Sequence, residues 1–94
     1  MNKRIYLIYL NPNSKFENAK LALDLSLRHY ISHIEKDENF EKRLSDRMSD
    51  AIRIGYENVL IVGDNELKNN AVTIKNLKSG EQNFVKLKDI YEFL

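Results

Sequence analysis

Residues 56–76 constrain the fold more than any other stretch of the chain, because an apolar strand there ends in a polar turn. Four consecutive apolar residues, 59–62, are typical of a strand covered on both faces of a sheet. Gly63 ends this strand, and an amide and two carboxylates follow at Asp64, Asn65 and Glu66. Residues 71–75 then alternate between apolar and polar side chains, which predicts a second strand.

The remaining pattern predicts the order β-α-β-α-β-β-β-α. Strands separated by helices should be parallel with right-handed crossovers, and the last hairpin must be antiparallel. Ser14 and Glu17 form a capping box that begins the first helix, and Gly55 caps the second. The predicted strands are residues 4–10, 31–36, 58–62, 71–75 and 84–87, and the predicted helices begin at residue 14 and span 41–54 and 89–94.

Length and composition indicate one globular domain, residues 1–94, because 43% of the residues are hydrophobic and 31% are charged. The net charge of +1 gives no long-range attraction to phosphate or to an anionic membrane. The N-terminal apolar run of about six residues is too short for a secretory signal or a membrane span. We therefore expect no membrane association, and a location in the cytoplasm or in an organelle.

The chain lacks the motifs of a catalytic or cofactor site. Its three glycines are too far apart for a phosphate-binding loop, and it has no cysteine. His29 and His33 are four residues apart, but the predicted helix ends between them and no third metal ligand is fixed nearby. The sequence therefore predicts no enzymatic activity, no cofactor and no metal.

Two arginines of the second predicted helix, Arg43 and Arg47, are candidates for phosphate binding, because a spacing of four residues places them on one helix stripe. The same residues are also consistent with a solvated face that forms ion pairs with Asp46 and Asp50. The residues alone favour the ion pairs.

The polar turn offers a second candidate site. Glu66 follows a strand end, where a carboxylate can accept hydrogen bonds from base N–H groups or cap the local turn. Asn65 lies beside it in the sequence, and Lys75 on the neighbouring strand can contribute a cation to the same surface or form a cross-strand ion pair. We include Glu66, Asn65 and Lys75 with Arg43 and Arg47 in the predicted RNA-binding set.

The order of motifs along the chain resembles the C-terminal anticodon-binding domain of class IIa aminoacyl-tRNA synthetases, which include the prolyl, threonyl, histidyl and glycyl enzymes. The residues that carry the resemblance are Asp50-Ala51 with Ile54-Gly55, the V-G-D-x-E-L run at 62–67, the V-x-I-K run at 72–75, and Ser79-Gly80-Glu81-Gln82. The resemblance implies an α/β fold in which three helices flank a mixed five-stranded sheet.

The resemblance also implies roles for three residues. Glu66 and Lys75 match family positions that help to read anticodon bases, and Arg47 matches a basic residue of the second helix. The chain departs from the family where the second strand ends, because Asp37-Glu38-Asn39 lacks the usual arginine. The catalytic domain of the synthetases is absent from this chain, so aminoacylation is not expected in it.

Two functions are consistent with these observations. In the first, the chain is a binding module for a tRNA anticodon stem-loop or a similar structured RNA. In the second, a repurposed relative uses the same fold to contact proteins in a larger assembly. An exposed apolar patch would favour the second function, whereas Tyr56, Tyr91 and Phe93 would lie in the core or in an interdomain seam of a synthetase fragment.

Overall fold

The structure is a computed structural model that describes residues 4–10, 17–29, 31 and 33–93. Its elements are β1 (Arg4–Tyr9), α1 (Glu17–Arg28), β2 (His33–Asp37), α2 (Leu44–Ile54), β3 (Asn58–Val62), α3 (Asp64–Lys68), β4 (Ala71–Asn76), β5 (Gln82–Lys86) and a C-terminal 3₁₀ helix (Leu87–Glu92). The capping box predicted at Ser14 lies outside the described residues.

The five strands form one mixed sheet in the order β2-β1-β3-β4-β5. The strand β1 pairs in parallel with β2 and β3, whereas β4 is antiparallel to both β3 and β5. The predicted α/β fold is confirmed, including the parallel pairs joined through helices and the antiparallel final hairpin. This topology places the ends of β1, β2 and β3 at one edge of the sheet, beside the start of β4.

Each face of the sheet supports its own apolar cluster, because successive strand side chains point to opposite faces. On one face, which we call the α1 face, Leu23 and Leu27 of α1 pack against alternate strand residues, and Ile90 of the 3₁₀ helix joins them. On the other, the α2 face, Ala51 packs against Tyr6 and Ile8 of β1 and against Val59 and Ile61 of β3. The central strands β1 and β3 are therefore buried on both faces.

The strands β2 and β5 are displaced by one or two residues from their predicted bounds, and three helical segments differ more. The helix α2 begins at Leu44 rather than at residue 41, because Arg43 has extended backbone angles of φ −63° and ψ 150°. The predicted turn after β3 contains a short helix, α3, and the predicted terminal helix is a 3₁₀ helix that begins at Leu87. The spacing of eight residues from Leu44 predicts that Ile52 lies on the core face of α2, but its side chain is 56% exposed.

The end of α2 agrees with the prediction. Gly55 has φ 110°, and its N–H donates to the carbonyls of Ala51 and Ile52. A side chain at this φ would be strained, which explains why glycine ends the helix. None of the helices formed by the described residues has the length and apolar character that a membrane crossing requires.

Candidate nucleic-acid interface

Glu66 caps the first turn of its own helix, α3. The Glu66 Oε1 atom accepts a hydrogen bond from the Gly63 N–H at 2.7 Å, which satisfies a backbone donor that the helix leaves free. A Cβ atom on residue 63 would lie 3.1 Å from this oxygen and 3.0 Å from Leu10 Cδ1. Glycine at this position therefore lets the carboxylate approach the backbone closely.

The second oxygen of Glu66 joins α3 to the sheet. Its Oε2 atom accepts a hydrogen bond from Thr73 Oγ1 on β4 at 3.0 Å. Thr73 is only 8% exposed, whereas Glu66 is half-buried. A carboxylate offers about four acceptor positions, so the two protein donors orient Glu66 and leave acceptor capacity for a ligand.

Lys75 follows Thr73 on the same side of β4. The two residues lie opposite Ile61 and Val59 of β3, which face α2. Alternate residues of a strand are about 7 Å apart, and Lys75 is half-buried at that spacing from Thr73. The structure therefore places Lys75 on the side of β4 that the Glu66 carboxylate reaches through Thr73.

Asn65 lies on the exposed surface of α3. The Asn69 side-chain amide donates to the Asn65 carbonyl at 2.7 Å and to its Oδ1 atom at 3.1 Å. These bonds hold the end of α3 against its first turn. Asn65 and Glu66 are thus presented by one ordered segment rather than by a loose turn.

The position of Arg47 contradicts the prediction that Arg43 and Arg47 form a phosphate-binding stripe on α2. Arg47 is 2% exposed, and its Nε donates to Asp37 Oδ1 at 3.1 Å. Its Nη2 donates to the carbonyls of Tyr9 and Asp37, each at 2.6 Å. The prediction that Arg47 grips RNA phosphate is therefore wrong, because the guanidinium is buried and bound to the ends of β1 and β2. Arg43 does not share its stripe, since it is exposed and precedes α2.

Asp37 is the centre of a buried polar network. Besides Arg47, it accepts hydrogen bonds from Tyr6 OH at 2.6 Å and from the Asn39 N–H at 2.9 Å. Burial, and then the hydrogen bond to Asp37, raise the pKa of the Tyr6 phenol. The network fixes the start of α2 at the sheet edge where α3 also lies. It therefore positions Arg43 without itself being accessible.

The surface ion pairs of α2 also differ in part from the prediction. Asp50 pairs with Lys42 and with Arg53, whose Nη2 lies 2.8 Å from Asp50 Oδ1. The hydrogen bond from Lys42 is the largest cause that lowers the pKa of Asp50. An ion-paired surface exists here, but Arg47 does not contribute to it.

A cleft of about 200 Å³ opens near the same edge, between α1 and β2. It is lined by Tyr9, Lys20, Leu21, Asp24, Lys36 and Glu38. Lys20 lies 4.6 Å above the centre of the Tyr9 ring and 3.9 Å from Glu38, and Lys36 lies 3.9 Å from Asp24. Because its cations are already matched by carboxylates, this cleft has no excess charge for an RNA ligand.

The burial of Arg47 could have been predicted from its position on the helix. Counting from Leu44, positions 47, 48 and 51 fall on one helical stripe at i+3, i+4 and i+7, and the structure packs this stripe against the sheet. An arginine within an apolar stripe needs a buried partner. As for metals, the described residues contain no group of three histidine or carboxylate side chains arranged to hold an ion.

Comparison with known proteins agrees with this fold. A family model described as the anticodon binding domain matches residues 4–94. A histidine–tRNA ligase of Clostridioides difficile (strain 630) is 31% identical over 93 residues, which cover 96% of this chain and 21% of the relative. A histidine–tRNA ligase of Pyrococcus furiosus is 30% identical over 90 residues, which cover 96% of this chain and 20% of the relative. The chain thus spans about a fifth of the length of these curated relatives.

Two solved structures share the fold at lower identity. The histidyl-tRNA synthetase of Nostoc sp. PCC 7120 superposes with a TM-score of 0.76 at 21% identity, covering 99% of this chain and 22% of that one. The RNA binding domain of threonyl-tRNA synthetase from Cryptosporidium parvum has a TM-score of 0.76 at 13% identity, covering 97% and 22%.

Proposed function

Because the chain belongs to the family of anticodon-binding domains of class IIa aminoacyl-tRNA synthetases, we propose that it is an RNA-binding module that holds the anticodon stem-loop of a tRNA. Unstacked anticodon bases offer their Watson–Crick edges to a protein, and a fixed carboxylate can accept from their N–H groups. In this proposal the chain itself performs no aminoacylation, and it acts where tRNA is charged, in the cytoplasm or in an organelle.

The arrangement of Glu66 is the observation that carries the proposal. Its carboxylate is oriented by Gly63 and Thr73 but retains acceptor capacity, and Lys75 lies on the same side of β4. We assign Glu66 to the recognition of a base edge and Lys75 to a neighbouring base or phosphate. Asn65 and Arg43 are exposed at the same edge of the fold, where they can contact the backbone of the loop.

Replacing Glu66 with alanine is expected to remove discrimination among anticodons. Binding is measured by fluorescence anisotropy with labelled transcripts of the histidine, threonine and proline tRNAs, and with a histidine transcript whose anticodon is altered. The wild-type chain should prefer one anticodon, and Glu66→Ala should cost that transcript about 1–3 kcal/mol while the others change little.

Glu81→Ala is the matched control, because Glu81 is an exposed carboxylate in the turn at the opposite end of β4. It should leave discrimination intact. Thr73→Val removes the hydroxyl that orients Glu66 and should give an intermediate loss. Equal weak binding of every transcript by the wild-type chain would defeat the proposed function.

Arg43 is expected to contribute to affinity without contributing to selectivity. Arg43→Ala should weaken binding of all transcripts alike, and it should reduce the slope of log affinity against log salt by about one counterion. The measurement is a titration at several salt concentrations. Arg53→Ala is the control, since Arg53 lies at the other end of α2 and pairs with Asp50. A change of selectivity in Arg43→Ala would contradict this role.

A protein-interaction subunit of a larger assembly is the second candidate function. The observation that favours it is the pair Leu21 and Leu25, which are 63% and 65% exposed and lie at i and i+4 on α1. Three aromatic residues were expected in the core or in an interdomain seam of a synthetase fragment. Tyr56 is buried and Phe93 is 45% exposed, while the side chain of Tyr91 lies outside the described residues. This apolar surface is small, so we rank protein contact second.

A further inference from the structure

One part of the sheet has no helix over it among the residues that the structure describes. The helix α2 packs on β1 and β3, and its apolar cluster contains no side chain of β4 or β5. Six residues of β4 and β5 face the same side by register, because directly paired residues of antiparallel strands share a face. One of them, Ala71, is buried beside α3. The other five, which we call the open sheet face, are Thr73, Lys75, Gln82, Phe84 and Lys86.

Phe84 is the unusual member of the open sheet face. It is 48% exposed, and it belongs to neither apolar cluster of the described residues. A sheet face in contact with water normally carries polar side chains, as Gln82 and Lys86 do on the same strand. The flat aromatic surface of Phe84 is therefore available to a ligand.

The neighbours of Phe84 are suited to a nucleotide. Thr73 lies directly opposite Phe84, and its hydroxyl donates a hydrogen bond to Glu66. The Phe84 ring and the Glu66 carboxylate are therefore both next to the Thr73 side chain. Lys75 lies diagonally across from Phe84 on β4, and Lys86 lies two residues after Phe84 on β5, so both lysines are on the same face as the ring. The Lys86 ammonium donates to the Asn69 carbonyl at 3.0 Å, which directs it toward the segment after α3.

We propose that Phe84 is a stacking platform for an unpaired base of the RNA, in a subsite formed with Glu66, Lys75 and Lys86. This inference rests on the proposed function and adds a residue and a binding mode to it. Aromatic side chains on open sheet faces stack bases without reading their identity, and cations beside them hold the phosphates. The base that stacks on Phe84 presents its edge toward Glu66, so one subsite supplies both stacking and recognition.

The chain contains no tryptophan, so Phe84→Trp creates a single fluorescent reporter on the open sheet face. The probe is a labelled anticodon stem-loop of the histidine tRNA, and a fully paired RNA duplex is the control ligand. We expect the stem-loop to quench Trp fluorescence in Phe84→Trp and to saturate at the concentration that saturates anisotropy. The duplex, which has no unpaired base, should quench much less.

Phe93→Trp is the matched control variant. Phe93 is 45% exposed, like Phe84, but it lines a cavity with Ile74 and Asn83, which point to the α1 face. Its fluorescence should not change when RNA binds. Phe84→Ala should weaken stem-loop binding by about 5- to 150-fold, with an unchanged salt slope because no charge is removed. Phe84→Tyr should retain most of the affinity.

The two proposals fail in different ways. If the stem-loop binds but quenches Phe84→Trp no more than Phe93→Trp, or if Phe84→Ala binds as well as the wild type, the stacking role is overturned and RNA binding stands. If no variant and no wild-type protein binds the stem-loop by anisotropy, both proposals are overturned. Circular dichroism of each variant verifies the fold.

Discussion

Replacing Arg47 with alanine is expected to lower the free energy of unfolding by about 3–5 kcal/mol, because it leaves the buried Asp37 carboxylate without its ion partner. The carbonyls of Tyr9 and Asp37 would also lose the donor that Arg47 supplies to both. A domain of this size is stable by only about 5–15 kcal/mol, so this loss should move the midpoint of urea unfolding well below that of the wild type. Urea denaturation followed by circular dichroism measures the change.

Arg43→Ala provides the control for Arg47→Ala. Arg43 is exposed four residues earlier in the sequence, and its removal should change stability by no more than about 0.5 kcal/mol. The two substitutions are thus expected to differ in what they change. Arg43→Ala should lower RNA affinity, and Arg47→Ala should lower the free energy of unfolding. An Arg47→Ala variant with wild-type stability and lost RNA affinity would contradict this division and restore the phosphate contact predicted from sequence.

The strands were predictable because their signal is local. The run from Asn58 to Val62 is apolar over a strand's length and is bounded by Gly63, and β3 has those bounds. The crossover rules then fixed which neighbours are parallel. The helix α3 was missed because Asp64, Asn65 and Glu66 are also common in turns. The hydrogen bond from the Gly63 N–H to the Glu66 carboxylate, which caps the helix, joins residues three apart and is not evident from residue types alone.

The roles of single side chains were less predictable, because they depend on contacts between distant parts of the chain. Arg47 binds Tyr9, which is 38 residues away, and no spacing rule on α2 connects them. The exposure of Phe84 likewise depends on how far α2 extends across the sheet, which the sequence of β5 does not specify. Glu66 and Lys75 were easier to relate, since Glu66 precedes the start of β4 by five residues and Lys75 lies within that strand. Their part in RNA binding stays a prediction.

The folded chain is expected to lose stability as the pH rises above about 10, because burial raises the pKa of three tyrosines, Tyr6, Tyr9 and Tyr56. Burial, followed by the charge of Asp24, raises the pKa of Tyr9 from 10.0 to about 12. The hydrogen bond to Asp37 adds to the burial of Tyr6, and the hydrogen bond to Glu35 adds to that of Tyr56.

The direction follows from proton binding. In the unfolded chain these phenols ionise near pH 10, whereas the folded chain retains their protons to higher pH, so unfolding releases protons in that window. The stabilisation is complete below pH 10 and falls by about 1.4 kcal/mol per pH unit for each such tyrosine until its folded pKa is reached.

Tyrosinate absorbance and circular dichroism, recorded together against pH, test this expectation. Ionisation of the buried phenols should coincide with loss of the fold. Lysines also titrate near this pH, so the decisive comparison is with Tyr9→Phe, which keeps the ring but has no proton to release. Its stability should fall less steeply between pH 10 and 12 than that of the wild type. Equal slopes for the two proteins, or ionisation of Tyr9 near pH 10 with the fold intact, would show that burial of its phenol does not oppose its ionisation.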